Sequence, residues 1–241
     1  MLQKTKGIVL RKIKYTEDSQ IVSVYTEKDG MMSFMLRQSH ARKNSLQAVF
    51  VSPLSILELT YDYKPSQKLQ RVREISLAYP YSSISCHPVK VMMAMYLQEF
   101  LYHSLKSEQT NLPLFAYLEH GLKWLDCCQQ DFANFHLVFL MRLTRFLGIW
   151  PNMDDFQTGA VFDMVDGQFV SGIPVHRTYL DIDESAILPV YMRMNMRTMH
   201  LFKMNRVQRF RFLEILNEYY RLHVPEFPEL KSADILRDVL S

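Results

Sequence analysis

The chain has 241 residues, of which 48% are hydrophobic and 22% are charged. This composition is ordinary for a folded domain and excludes a disordered chain, which would be poorer in aromatic residues. No apolar run approaches the roughly 18 residues of a membrane span, and three cysteines are too few for a disulfide framework. Since Lys4 and Lys6 stand near an N-terminus without an apolar signal core, we expect a cytoplasmic protein without a membrane segment.

The charges are unevenly distributed along the chain. Residues 1–80 contain 13 Lys and Arg against 7 Asp and Glu, whereas residues 151–190 contain 1 against 7. A basic end followed by an acidic stretch indicates a polyanion contact at the basic end. A solvated basic face explains the same pattern, so this alternative stays open.

The first 80 residues alternate apolar and polar side chains with the two-residue period of β-strands. In the first strand, the alternation predicts that Val9, Arg11 and Ile13 share one face, opposite Lys12 and Lys14. Asp29-Gly30 is a hairpin turn signal. The predicted strands are 7–14, 21–25, 32–36, 55–63 and 69–77. Five antiparallel strands in such a short stretch are typical of a small closed barrel.

After Pro88 the apolar residues recur at helical spacing. Between the helices, an acidic hairpin is predicted around Asp166-Gly167. The predicted helices are 89–101, 112–128, 132–147, a helical region that resumes near Ile187, a long helix through 207–220, and a last short one capped by Ser232. The fold class is therefore α+β: a five-stranded barrel domain at 1–80, then a mainly helical domain at 81–241 that includes the hairpin segment 152–180.

Motifs of catalysis are missing from the sequence. It has no Walker or dinucleotide glycine loop, no nucleophile elbow and no CxxC pair, so we expect no enzyme, no metal and no cofactor. Asp154-Asp155 and Asp181-Ile182-Asp183 could bind Mg²⁺, but a solvated acidic surface is the simpler interpretation. Cys127-Cys128 is expected to be a pair of buried, inert thiols.

Basic side chains mark the barrel as a nucleic-acid binder, because single-strand binders combine a cationic groove with stacking aromatics. Tyr15, Tyr25 and Phe34 are the interleaved aromatics, with barrel core as the alternative for each. His40 lies beside two of the basic residues in the polar loop 38–45. The candidate DNA-binding residues are Lys4, Lys6, Arg11, Lys12, Lys14, Arg37, Arg42, Lys43, Arg71 and Arg73.

The third predicted helix offers a second surface. Phe135, Phe139, Arg142 and Arg145 place apolar and cationic groups on neighbouring turns. An acidic, apolar peptide tail could dock there, with its carboxylates on the arginines. The alternative is that the phenylalanines belong to the helical core and the arginines stabilise the helix C-terminus.

Four short motifs, taken in order, resemble those of one bacterial family. The opening KGIVLRKIKYTEDSQIVSVYTEKDGMMSFM, at residues 6–35, resembles its first strands, and HARKNS, at 40–45, its basic loop. RFLGIWP, at 145–151, resembles its helix end, and ELKSADIL, at 229–236, its C-terminal motif. By these residues, the chain resembles the RecO family of recombination mediators over essentially its whole length.

The resemblance implies a non-enzymatic, nucleoid-associated DNA repair protein of the RecF pathway, with an N-terminal OB-fold and a helical domain. The family binds single- and double-stranded DNA and anneals complementary strands. With the partner RecR it loads the RecA recombinase onto DNA coated by single-strand binding protein, and it binds that protein's acidic, apolar C-terminal tail. By position, the basic residues of the first strand and the loop would contact DNA, and the helix around Phe139 and Arg142 would bind the tail.

One departure from the family concerns zinc. Many members carry four cysteines as a zinc finger after the segment that corresponds to 145–151, but residues 152–179 contain none. Zinc is therefore not expected, and we expect apolar packing to hold the hairpin instead. The packing residues would be Phe156, Val161, Phe162, Phe169 and Val170.

Two other functions stay open. A protein-interaction adaptor that uses the barrel as a scaffold would scatter its basic residues around the barrel. An enzyme that acts on RNA or a nucleotide would need carboxylates from 154–184 to converge on a metal.

Overall fold

A computed structural model describes residues 1–37, 52–106, 108–233 and 236. Arg42 and Lys43 lie outside the described residues, and so do residues 38–45 of the predicted polar loop. The described residues fall into two compact units, one of Met1–Cys128 with Leu230–Ser241, the other of Gln129–Glu229. The domain boundary expected at residue 80 stays a prediction.

Five strands close into a barrel in the order β1-β2-β3-β5-β4. This order is that of an OB fold and confirms the predicted fold class. The strands are β1 (Leu2–Thr16), β2 (Ser19–Thr26), β3 (Gly30–Arg37), β4 (Ile56–Asp62) and β5 (Leu69–Tyr79).

The expectation of five antiparallel strands is wrong at one seam. β3 pairs with β5 in parallel, over only three residue pairs from Ser33↔Leu69 to Met35↔Arg71. An odd number of strands cannot alternate direction all the way round a closed barrel, so at least one neighbouring pair must run parallel. The pairing of these two strands ends at Met35 and Arg71.

A register shift in β1 changes which side chains share a face. The pairing with β2 jumps between Val9 and Arg11, so Leu10 is an extra residue on β1. Val9 then shares its face with Lys12 and Lys14, and not with Arg11 as the strict alternation predicts. The faces follow from the pairs Val9↔Val24, Arg11↔Ser23, Lys12↔Val22 and Lys14↔Gln20.

Two helices complete the first unit: α1 (Pro88–Ser104) and α2 (Leu112–Cys127). Asn111 begins α2 by accepting a hydrogen bond from the Leu114 amide at 3.0 Å. Cys127 is exposed, which corrects the expectation of a buried thiol pair. It lies two residues, about 200° around the helix, from buried Leu125.

The C-terminal segment returns to the first unit at α1. The Glu99 carboxylate accepts hydrogen bonds from the Ser232 amide at 2.9 Å and the Ser232 hydroxyl at 2.5 Å, and from the Lys231 amide at 3.2 Å. Ser232 thus donates both its amide and its hydroxyl proton to Glu99, and its predicted role as an N-cap stays a prediction. Burial by itself raises the pKa of Glu99, but these donors hold it below its usual value.

The second unit combines helices with a small sheet in the order β7-β6-β8. The predicted hairpin is present, and β8 joins it as a third strand. Its helix α4 begins at Ile182, five residues before the predicted start, because Asp181 caps it at the Glu184 amide. The elements are α3 (Phe135–Leu143), β6 (Val161–Asp163), β7 (Gln168–Val170), β8 (Tyr179–Leu180), α4 (Ile182–Arg193), a 3₁₀ turn (Met199–Leu201) and α5 (Arg206–His223).

Candidate nucleic-acid interface

A groove of about 530 Å³ lies beside the short β3–β5 pairing, with Met35 and Arg71 in its lining. We call it the β3–β5 groove. It takes residues from β2 to β5 and from the β4–β5 turn. Its lining is Gln20, Met35, Leu36, Asp62, Lys64, Gln67, Arg71, Val72, Arg73 and Ile75. The lining has a positive charge, because it contains Lys64, Arg71 and Arg73 against one carboxylate, Asp62. OB folds bind oligonucleotides at the face of strands 2 and 3 and at the β4–β5 loop, which is where this groove lies.

The side chain of Gln70 fixes the β4–β5 turn beside the groove. Gln70 is 2% exposed. Its amide accepts a hydrogen bond from the Lys64 N–H at 3.0 Å and donates to the carbonyls of Lys64 and Gln67. A buried side chain that satisfies three backbone groups holds a turn in one conformation. Lys64 and Gln67 are therefore preorganised at the edge of the groove.

Arg71 and Arg73, both predicted DNA contacts, line the groove together. Both side chains are exposed. Arg73 donates from Nε to Asp62 Oδ2 at 2.6 Å, which leaves Arg71 and Lys64 as the cations of the lining with no ion pair to a described residue.

Lys12 and Lys14 extend the positive charge onto β1. Because Lys14 pairs with Gln20 and Gln20 pairs with Leu36, these three residues form a row across three strands that ends in the groove lining. Lys12 and Lys14 are both exposed. Arg37 ends β3 opposite Ser19 in the same part of the barrel. Lys14 is thus linked by its row to the groove, whose lining contains Lys64 and Arg71.

Lys4 and Lys6 lie at the other end of β1 and contact carboxylates. Lys4 Nζ is 2.9 Å from Glu58 Oε2, and Lys6 Nζ is 3.2 Å from Glu119 Oε1 on α2. Burial by itself raises the pKa of Glu119, but hydrogen bonds from Lys123 and Lys6 hold it below its usual value. The structure therefore separates these two lysines from the groove.

Arg11 joins the barrel to α1. Its Nη1 donates to the Tyr102 hydroxyl at 2.8 Å, and its guanidinium lies 4.8 Å from the centre of the Tyr102 ring. The register shift at Leu10 explains this placement, because it turns Arg11 away from the face of Lys12 and Lys14.

Of the three aromatics proposed for stacking, Tyr15 alone is available. It is 60% exposed, whereas Tyr25 and Phe34 are at most 1% exposed. Phe34 packs edge-on against Tyr61 in the barrel core, and the Tyr25 ring stacks on Phe115 of α2. The core alternative is therefore correct for Tyr25 and Phe34.

In the proposed tail site on α3, Phe135 and Phe139 are 0% exposed. Their rings stack on each other 5.3 Å apart in the core, so in this conformation they present no surface to a peptide. Arg142 donates from Nη2 to the Met194 carbonyl at 3.0 Å. Arg145 is exposed, and its guanidinium lies 3.9 Å from the centre of the Trp150 ring.

The hairpin segment 152–180 is held by aromatic packing and one hydrogen bond between side chains. Phe169 packs edge-on against Phe156 and Phe162, at 5.0 and 5.1 Å between ring centres, as the sequence predicts. Asp163 Oδ2 is 3.0 Å from His176 Nε2. This region has no thiolates for zinc, and among the described residues no three His, Cys, Asp or Glu side chains gather as metal ligands.

Comparison with known proteins agrees with this barrel and helical organisation. The family profile described as Recombination protein O N terminal matches residues 1–81, and that described as Recombination protein O C terminal matches residues 87–233. The chain belongs to the RecO family.

Curated relatives match over essentially their whole length. DNA repair protein RecO of Phocaeicola vulgatus is 48% identical over all of both chains. The protein of the same name from Bacteroides fragilis is 49% identical over 99% of both, and that from Porphyromonas gingivalis is 32% identical over 98% of both. RecO family membership supports a role in DNA repair.

Sequence reasoning missed Lys64 and Gln70. The signal for Lys64 was the polar turn Lys64-Pro65-Ser66 between two predicted strands, since this turn borders the ligand face of an OB fold. No sequence pattern distinguishes Gln70 from a surface glutamine. Separately, no helix among the described residues is long and apolar enough to cross a membrane.

Proposed function

We propose that the chain is a non-catalytic recombination mediator that binds DNA through the β3–β5 groove. It anneals complementary strands and, with RecR, helps load the RecA recombinase onto single-stranded DNA coated by single-strand binding protein. The observation that carries the proposal is the cationic groove at the ligand face of an OB barrel in a member of a DNA repair family.

The chemistry of the groove suits a single strand. Lys64 and Arg71 line the groove together with Met35, Leu36 and Val72. The two cations would contact phosphates, and the apolar side chains would contact bases. Lys12 and Lys14 continue the positive charge along β1. Contacts of this kind are tolerant of sequence and sensitive to salt.

A charge-reversal variant tests the groove. Lys14→Glu with Arg71→Glu is expected to weaken binding of a labelled single-stranded oligonucleotide at least tenfold, because two phosphate contacts become repulsive. The slope of log affinity against log salt is expected to become shallower by about 0.7 for each lost contact. Fluorescence anisotropy at several salt concentrations measures both, and a strand-annealing assay with the same variant tests the mediator role.

The matched control is Lys28→Glu with Arg221→Glu, which changes the net charge equally at exposed residues outside the groove. This control is expected to keep wild-type affinity. Equal losses in the two variants would mean that only net charge matters. If the wild-type protein binds the oligonucleotide and the groove variant binds it with the same affinity, the binding site lies elsewhere. If the wild-type protein does not bind the oligonucleotide even at low salt, the adaptor function is favoured.

The tail of single-strand binding protein is a further proposed partner, at the helix α3. With Phe135 and Phe139 in the core, Arg145 beside Trp150 is the accessible part of that site. Titration with a peptide of acidic and apolar residues tests this: Arg145→Ala is expected to weaken peptide binding, and unchanged affinity would exclude the site.

A further inference from the structure

The second unit contains a long stretch without any acidic residue. Between Glu184 and Glu214, the chain has six Lys and Arg and no Asp or Glu. The two flanking glutamates both pair with Arg211, at 3.1 Å for Glu184 Oε2 and 3.5 Å for Glu214 Oε2. Because the acidic residues 151–190 precede this stretch, the net charge of the whole chain does not reveal its positive charge.

The middle of this stretch, residues 193–206, is folded in a fixed way, and we call it the basic segment. Met194 and Met199 are each 1% exposed. Arg142 donates to the Met194 carbonyl, and Asn134 Nδ2 donates to the carbonyls of Met199 and Phe202 at 3.2 and 2.9 Å. These bonds anchor the backbone of the segment to α3.

The basic segment exposes four cationic side chains, together with His200, Leu201 and Asn205. Arg193, Arg197, Lys203 and Arg206 are all exposed. Within the described part of the chain, Arg193, Arg197 and Lys203 make no ion pair. Several exposed cations without carboxylate partners, on a backbone anchored by buried Met194 and Met199, create a positive potential that attracts polyanions.

We infer that the basic segment of the second unit is a second binding surface for a nucleic-acid backbone, in addition to the β3–β5 groove of the first unit. The inference rests on the proposed DNA role of the chain and deepens it, because a protein that anneals two strands gains from holding each on its own surface. Phosphate is the chemistry that the cations recognise, since residues 193–206 contain four positive charges and no carboxylate that would specify a small ligand.

Binding stoichiometry tests the inference. The probe is a single-stranded oligonucleotide of about 12 nucleotides, within the site size of one OB fold, and native mass spectrometry counts the copies bound. Wild-type protein is expected to bind two, and Arg197→Glu with Lys203→Glu is expected to bind one. The groove variant Lys14→Glu with Arg71→Glu is also expected to bind one, and the four changes together none.

The control Arg177→Glu with Arg221→Glu reverses the same charge at two exposed residues of the same unit, and it is expected to bind two copies. Thermal unfolding followed by circular dichroism checks that each variant folds. In an annealing assay, the basic-segment variant is expected to lose at least tenfold in rate while its single-strand affinity at the groove stays within twofold of wild type.

Three results would overturn the inference, and they are distinguishable from failure of the proposed function. If wild-type protein binds one copy and loses it only in the groove variant, the groove stands and the second surface is wrong. If wild-type protein binds no copy, the proposed DNA role itself fails. If the basic-segment variant keeps two copies but loses binding of a short Asp/Phe peptide, the partner of the segment is an acidic protein tail.

Discussion

At the scale of single residues, the burial of His136 sets its protonation state. His136 on α3 is 1% exposed, and within the described residues its Nδ1 has no hydrogen-bond partner. Burial lowers the pKa of His136 to about 3, and the charge of Arg209 acts in the same direction. The folded protein therefore holds this imidazole neutral across the physiological pH range.

The consequence of a neutral, buried His136 is acid sensitivity. The unfolded chain binds a proton at His136 below about pH 6.5, whereas the folded chain does not until about pH 3. Stability is therefore full above pH 7 and falls by up to about 1.4 kcal/mol per pH unit below 6.5. We predict that His136→Leu flattens this part of the curve of unfolding free energy against pH, measured by urea denaturation.

Exposed His200 supplies the control for His136. His200→Leu removes an imidazole that is exposed in the folded chain, and this variant is expected to keep the slope of the wild type. If the wild type and the His136→Leu variant lose stability in parallel between pH 7 and pH 5, His136 is not held neutral and its environment is more polar than the structure shows.

At the scale of elements, the turn between β2 and β3 is built against the connection from α1 to α2. Gly30 has φ = +66°, and a Cβ there would lie 2.7 Å from the Glu108 carbonyl oxygen. Thr110 Oγ1 donates to the Lys28 carbonyl at 2.7 Å, and the Tyr25 hydroxyl donates to the Gln109 carbonyl at 3.3 Å. The turn therefore has both a conformational and a steric need for glycine.

Gly30→Ala and Gly148→Ala separate these two needs. Gly148 has φ = +72°, but a Cβ added there would meet no described atom within 4 Å. We predict a loss of about 1 kcal/mol in unfolding free energy for Gly148→Ala, and about 3 kcal/mol for Gly30→Ala, because the backbone at Glu108 must also move. Urea denaturation measures both, and equal losses would show that the 108–110 connection yields freely.

Most of the barrel could be predicted at this scale, because alternation and turn residues are local signals. The strands β1 to β5 all overlap the predicted ones, and Asp29-Gly30 marks the β2–β3 turn. The extra residue Leu10 could not be predicted, since a bulge depends on pairing with β2 and leaves no mark in the sequence of β1. That one residue decides that Lys12 shares a face with Val9 and Lys14, and that Arg11 has the opposite face and contacts Tyr102 of α1.

Which aromatic side chains are buried could not be predicted from the sequence either. Phe135 and Phe139 fit an exposed anchor and a core position equally well by spacing, and packing in three dimensions decides for the core. The same holds for Tyr25 and Phe34 in the barrel. In contrast, Arg71 and Arg73 were predicted as DNA contacts from charge alone, and the structure brings them to one groove, where their role stays a prediction.

At the scale of the whole molecule, each of the two units carries a group of exposed cations among its described residues. One is the β3–β5 groove of the first unit with Lys12 and Lys14 beside it, and the other is the basic segment of the second unit. The acidic stretch 151–190 separates them in the sequence. A mediator with two such surfaces would hold two nucleic-acid strands at once, which is the requirement of annealing.

The most direct measurement for the groove is amide hydrogen exchange with and without a saturating single-stranded oligonucleotide. We predict slower exchange in peptides that cover residues 63–72 and 31–36, because they border the β3–β5 groove, and no change in the peptide of 2–6, whose lysines contact Glu58 and Glu119. Protection at 2–6 without protection at 63–72 would contradict the groove as the binding site, whatever the affinity.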